Sequence, residues 1–183
     1  MSPIAPSLRI ARPEAGEHNP YYSRYIDKVP GDDALPALES QVKEMLAALR
    51  PLDDARALHR YGPGKWSIKE VVGHLMDAER VFAYRALRFA RADQAVLPGF
   101  EENEWVPAGR FDRRAFPGLL DEYAAARAST LALYRGFEEE WLTRSGTASG
   151  SPVSVRALAW IIAGHELHHL AILRERYGVA GAR

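Results

Sequence analysis

Three breaks of unequal length divide the chain beyond residue 34, and they constrain the fold more than any single motif. They are "GPG" at 62–64, "DQAVLPGFEENEWVPAGRFD" at 93–112 and "TRSGTASGSP" at 143–152. Each is rich in residues that punctuate regular structure, and between them the apolar residues recur every three or four positions, which is the period of a helix. Residues 35–50 place Leu38, Val42, Met45, Leu46 and Leu49 on one face, and "DDARALHRY" continues or restarts that helix before the glycines stop it. A second helix opens at Ser67, which forms a capping box with Glu70, and runs to about Arg91. The third is expected from about Arg113 to Gly136, with Pro117 disturbing its first turn. The fourth is expected from about Ser154 to Tyr177, stopped by Gly178. No internal repeat and no series of strands is apparent.

Four long helices in one chain imply an all-α four-helix bundle. The links between helices 1 and 2 and between helices 3 and 4 read as short enough to join antiparallel neighbours. The segment of roughly 20 residues between helices 2 and 3 is too long for a hairpin and can carry the chain back along the bundle. The expected topology is therefore up-down-down-up, with helices 2 and 4 antiparallel and a long crossover loop between helices 2 and 3. Residues 1–33, with several Pro and Gly and no period, read as an irregular N-terminal arm whose aromatics in "NPYYSRYIDKVPGDD" pack on the body; the bundle domain is expected over 34–183.

The 183 residues contain 24 Lys plus Arg and 24 Asp plus Glu, so nothing in the net charge suggests nucleic acid as a partner. There is no cysteine, which excludes disulfides, thiolate metal ligands and a thiol nucleophile from the protein itself. No stretch approaches the ~18 consecutive apolar residues of a membrane span, and the N-terminus lacks the apolar core of a secretory signal, so the expectation is a cytoplasmic protein.

The histidines carry the chemistry. Placed on a wheel at ~100° per residue, His165 and His169 of the fourth helix sit within the stripe formed by Leu158, Ile161, Ile162, Ile172 and Leu173. On the second helix His74 shares a side with Val71, Ala78, Phe82 and Phe89. Imidazoles aimed into a core are costly unless their nitrogens find partners. If helices 2 and 4 are antiparallel, the three histidines lie at matching depth. Three neutral imidazoles with an open position form a catalytic metal arrangement, and zinc, nickel, iron and manganese are all candidates for it, zinc and nickel foremost. His18 and His59 are expected at the surface, and His168 is a spare or supporting group.

The string "HELHH" also satisfies the H-E-x-x-H pattern of metalloproteases. Its context fails: no further histidine follows His169, and in the extended form of the pattern the glycine position is Ile172 and the third histidine position is Glu175. A protease is therefore not expected. Glu166 remains open, either as a general base beside the metal, and so a catalytic candidate, or as a helix-to-helix hydrogen-bonding residue. Arg85 points nearly to the core, either to bind a substrate carboxylate or to pair with an internal acid. Glu70 either orients His74 or serves only its capping box. Phe100, Asn103, Glu104 and Trp105 in the long loop are placed to cover the mouth of the site, or simply to pack. The opposite side of the fourth helix, with Trp160, Ala163, Gly164, Leu167 and Ala171, is apolar too and calls for a cover, by the arm or by a second subunit; a homodimer is the expectation.

The segments "YGPGKWSIKEVVGHLMDAERVFAYRALRFARAD", "LPGFEENEW" and "VSVRALAWIIAGHELHHLAILRERYG" together closely resemble the DinB-like, or YfiT-like, superfamily over most of residues 20–178. The resemblance implies an up-down-down-up four-helix bundle, frequently dimeric. It also implies a divalent metal ion held by one histidine of the second helix and an H-x-x-x-H pair of the last, here His74, His165 and His169. Related proteins include bacillithiol S-transferases and mycothiol-dependent isomerases, so a low-molecular-weight thiol enters as a possible cofactor. The expected activity is that of a metal-dependent thiol transferase or a hydrolase acting on a small molecule. The alternative is a non-catalytic, stress-linked metal-binding protein of the same fold.

Overall fold

The computed structural model describes residues 8–180. After two short 3-10 turns come α1 (Ser23–Ile26), α2 (Ala34–Leu49), α3 (Asp54–Ala57), α4 (Ile68–Ala90), α5 (Glu102–Gly109) and α6 (Phe116–Arg135). A hairpin of β1 (Ser145–Ala148) and β2 (Ser151–Ser154) then leads into α7 (Val155–Glu175). The four long helices are those the apolar spacing marks. α4 begins with the capping box: Ser67 Oγ accepts from Glu70 N–H at 3.0 Å, and Glu70 Oε2 accepts from Ser67 N–H at 2.9 Å. Ser154 caps α7 by accepting from Ala157 N–H at 3.0 Å, and Gly178, at φ +65°, turns the chain away beyond its end. α6 starts three residues later than the periodicity suggests. Pro117 is tolerated in a first turn, so the chain makes a separate 3-10 turn at Phe111–Arg113 and begins the helix afresh at Phe116.

α4 packs against both α6 and α7, and α2 against the same two. The links that the spacing assigns to antiparallel neighbours, residues 50–67 and 136–154, instead cross diagonals of the bundle, α3 and the hairpin taking up their length. Side chains tie the ends together. Beyond the end of α7, Tyr177 donates its hydroxyl to Trp66 O, just before α4, at 2.7 Å; Arg144, ahead of α7, donates to Ala90 O at the far end of α4 at 2.6 Å. Near the starts of both α4 and α6, Lys69 Nζ donates to Arg114 O at 2.7 Å, and further along Arg80 pairs with Glu122 at 2.6 Å.

The hairpin was not legible as strands. Its register pairs Gly146 with Val153 and Thr147 with Pro152, and its residues have little strand propensity. Ser149 and Gly150, at φ +51° and +76°, meet the positive-φ demand of a two-residue hairpin turn. Packing decides the rest: Gly146 lies so close to the Phe89 ring that a Cβ there would come within 2.2 Å of it. Leu97, in the crossover between α4 and α6, bonds to the same hairpin through Thr147 O and Ser149 N–H.

The arm covers the back of α7. Trp160 Nε1 donates to Ile10 O and Ala11 O at 3.1 and 3.0 Å, and Ile10 is fully buried. At Gly164 a Cβ would fall 2.1 Å from Tyr25 O, so only glycine lets α1 lie this close. The apolar face that called for a cover is thus the arm's seat. His18, expected at the surface, is buried within this arm and bonds through Nδ1 to Asn19 O at 3.0 Å; His59 is exposed as expected.

Candidate metal centre

His74 sits two turns into α4, and His165 and His169 sit one turn apart on α7, facing it. His74 Nε2 lies 3.0 Å from His165 Nε2, which lies 3.1 Å from His169 Nε2. All three ligand atoms fall within 4.8 Å of one another, and the rings are 7–9% exposed. Trp66 stacks beside His74 at 4.8 Å between centroids, and Tyr25 meets His165 edge-on at 5.4 Å. Burial drives all three imidazoles below their ordinary range, His74 to about 4, with the Glu102 carboxylate pulling weakly the other way there. For His165 and His169 the neighbouring histidines add to the effect of burial. At neutral pH the centre is therefore three uncharged rings with nitrogens turned toward one point. That donor set suits a divalent ion: neutral imidazole is an ordinary metal ligand, and an ion among the three would bond every Nε2 at once. Among the described residues no fourth His or carboxylate joins this group.

The centre opens onto a cleft of about 270 Å³. Tyr21, Tyr22 and Tyr25 of the arm form one wall, and Trp66, Phe82 and Phe100 line it as well. Among the described residues Glu102, on α5, is the only carboxylate of the lining, and no Lys or Arg lines it. A second cleft of about 230 Å³ lies on the other side of Trp66 and His169, lined also by Lys65, Asn103 and Tyr177.

The remaining candidates fall in different places. Glu166 is 1% exposed and pairs with Arg127, which also binds Glu79 at 2.8 and 3.0 Å; it does not line the cleft. Burial pushes its carboxyl up, against the pull of Arg127. Arg85 is buried outside the cleft lining and donates to Pro98 O at 2.8 Å and Ser149 Oγ at 2.9 Å, holding the crossover to the hairpin turn. Glu70 serves its capping box and pairs with Arg60. His168 is half-buried on the cleft wall, its ring 5.3 Å from Tyr25. Phe100 lines the first cleft and Asn103 the second, while Glu104 and Trp105 are exposed.

Sequence reasoning missed Tyr22, Tyr25, Trp66 and Glu102. The run "NPYYSRY", dense in aromatics within an aperiodic arm, was the available signal for the tyrosines; Glu102 had none, because the crossover segment carries no period that gives it a direction.

A family model described as the DinB superfamily matches residues 37–173. A "Putative metal-dependent hydrolase" of Geobacillus thermodenitrificans is 30% identical over 157 residues, covering 75% of this chain and 86% of that protein. A protein of Oceanobacillus iheyensis with the same description is 24% identical over 144 residues, covering 76% and 81%. Among solved structures, YfiT from Bacillus subtilis, described as "a probable metal-dependent hydrolase with an unusual four-helix bundle topology", superposes with a TM-score of 0.66 at 17% identity, over 92% of this chain and 94% of that one. A mycothiol-dependent maleylpyruvate isomerase also gives 0.66, at 14% identity, over 81% of this chain and 60% of that one. The two structural likenesses speak to the fold.

Proposed function

This chain belongs to the DinB superfamily, and we propose that His74, His165 and His169 hold one divalent metal ion at which a small molecule is hydrolysed. One observation carries the reading: three buried, uncharged imidazole nitrogens converge at the floor of an open cleft, with no fourth His or carboxylate joining them among the described residues. A purely structural ion would be closed by a fourth protein donor, whereas a catalytic one keeps a position free. The relatives described as metal-dependent hydrolases support the same class. The bundle is read as up-down-down-up, a reading supported by the way Tyr177 and Arg144 tie opposite ends of α7 to α4. Zinc or nickel suits an all-imidazole set better than manganese, which favours oxygen.

The bound ion would supply a Lewis acid and a water of lowered pKa. The chain does the rest. The histidines stay unprotonated because burial disfavours their charged forms. The Tyr25 phenol, raised by burial, stays a hydrogen-bond donor on the cleft wall. The aromatic walls limit water around the reacting group. Glu166 takes no chemical step in this reading, since Arg127 holds its carboxylate away from the cleft.

A thiol could take the place of water as the nucleophile such an ion would activate, and the second cleft beyond His169 would give a bulky low-molecular-weight thiol room to lie. Elemental analysis of gently purified protein is expected to find about one metal ion per chain, and His165→Ala is expected to lose it. Wild-type stoichiometry in that variant would reject the site. Parallel assays of ester and amide hydrolysis and of thiol transfer to electrophiles then separate the two nucleophiles.

A further inference from the structure

We infer that the cleft in front of the three histidines selects substrates bearing a cationic amine, seated by Glu102 and the aromatic wall. The inference rests on the metal reading only for where the reacting group of such a substrate would lie.

The charge distribution carries it. Among the described residues Glu102 is the one acidic residue of the lining, and no Lys or Arg shares the wall. Six aromatic rings, of Tyr21, Tyr22, Tyr25, Trp66, Phe82 and Phe100, line the same space. Ring faces are negative, and aromatic cages with a nearby carboxylate are how proteins bind ammonium groups. These rings already attract cations from outside the cleft. Arg24 lies 3.5 Å over the Tyr21 ring, and Arg85 lies 5.7 and 6.0 Å from the Phe82 and Phe100 rings; neither lines the cleft.

The second cleft sets the direction. Across Trp66 and His169, the only charged residue of its lining among the described residues is Lys65. The two spaces flanking the histidines therefore carry opposite signs, and only the Glu102 side suits a cation. Neighbouring positions on α5 divide the work, Glu102 facing the first cleft and Asn103 the second. A metal ion on three neutral ligands would keep its full charge, so an amine must sit toward Glu102 and away from the histidines.

The test is calorimetric titration of the full-length protein as purified, with choline and with its neutral carbon isostere 3,3-dimethylbutanol, metal content being determined on the same sample. Choline is expected to bind about tenfold more tightly than the isostere. Glu102→Gln should bring the two to near parity, and Glu104→Gln, which removes an exposed acid from the same helix, should leave the preference intact. Equal binding of the two probes by the unsubstituted protein overturns the inference and needs no variant. So does an undiminished preference in Glu102→Gln, or an equal loss in Glu104→Gln. A sample with full metal and no choline preference removes this inference and leaves the metal site standing; a metal-free sample that keeps the preference does the reverse.

Discussion

His165 and Glu166 are consecutive on α7, yet they belong to two buried polar centres of opposite character. Glu166 enters a closed cluster around Arg127. That guanidinium donates to Leu38 O of α2 at 3.0 Å, to both oxygens of Glu79 on α4 and to Glu166 on α7, while its own backbone lies in α6. One side chain thus bonds to all three of the other long helices. Burial opposes its charge, but Glu166 and Glu79 outweigh that and hold it above its ordinary range. His165 enters a cluster of like groups, uncharged, with nitrogens facing nitrogens and one side open to a cleft. The first centre pairs its buried charges within the fold, although Glu166 Oε1 itself accepts no hydrogen bond from the described residues. The second turns three imidazole nitrogens toward one point beside a cleft, with no fourth His or carboxylate joining them among the described residues. The Arg127 cluster pairs its charges inside the fold, whereas the three histidine nitrogens converge with no opposite charge joining them among the described residues.

The contrast can be broken experimentally. The largest effect is expected at the closed centre: Arg127→Met strands two buried carboxylates and should lower stability by ~3–5 kcal/mol in chemical denaturation. A loss under 1 kcal/mol would mean that the cluster does not hold the helices together. At the open centre, zinc or nickel at about a thousand times its dissociation constant should stabilise the protein by ~4 kcal/mol. Thermal unfolding with and without chelator should show that shift, and His74→Ala should abolish it.

Glu166→Gln sharpens the comparison, because it removes a charge from one centre one residue away from a ligand of the other. It is expected to cost ~2 kcal/mol of stability while bound metal stays at the wild-type level. Unchanged stability with lost metal would move Glu166 into the metal site. Smallest per pH unit is the slope of stability with pH. In metal-free protein His74 titrates at about 4 rather than at its ordinary 6.5, so between these values the unfolded chain binds more protons than the folded one. Stability should therefore hold above pH 6.5 and fall by up to ~1.4 kcal/mol per unit as pH drops through that window. His74→Ala should flatten that contribution, as equilibrium unfolding at a series of pH values would show.

Legibility followed periodicity. The four long helices, the Ser67–Glu70 capping box and the inward set of His74, His165 and His169 could all be read from spacing, because a helix gives every residue a direction as soon as its axis is known. Where no period exists, direction is lost. Glu102 lies in a segment that read as loop and folds as α5; Tyr25 lies in an aperiodic arm. The hairpin at 145–154 has weak strand propensity and forms because Gly146 admits the Phe89 ring. Glu166 had two readings from the wheel, and nothing along the chain announced that Arg127, 39 positions upstream, would take it.

The sequence by itself determined which residues face inward on each helix, and so that three imidazoles fall on the apolar faces of two helices. Only the tertiary structure decided what stands opposite: Arg127 facing Glu166, open space facing the histidines, and an acid with aromatic rings around that space. Helical direction is local, set by the 3.6-residue turn, whereas a partner comes from another part of the chain, and which part is known only once the helices have packed.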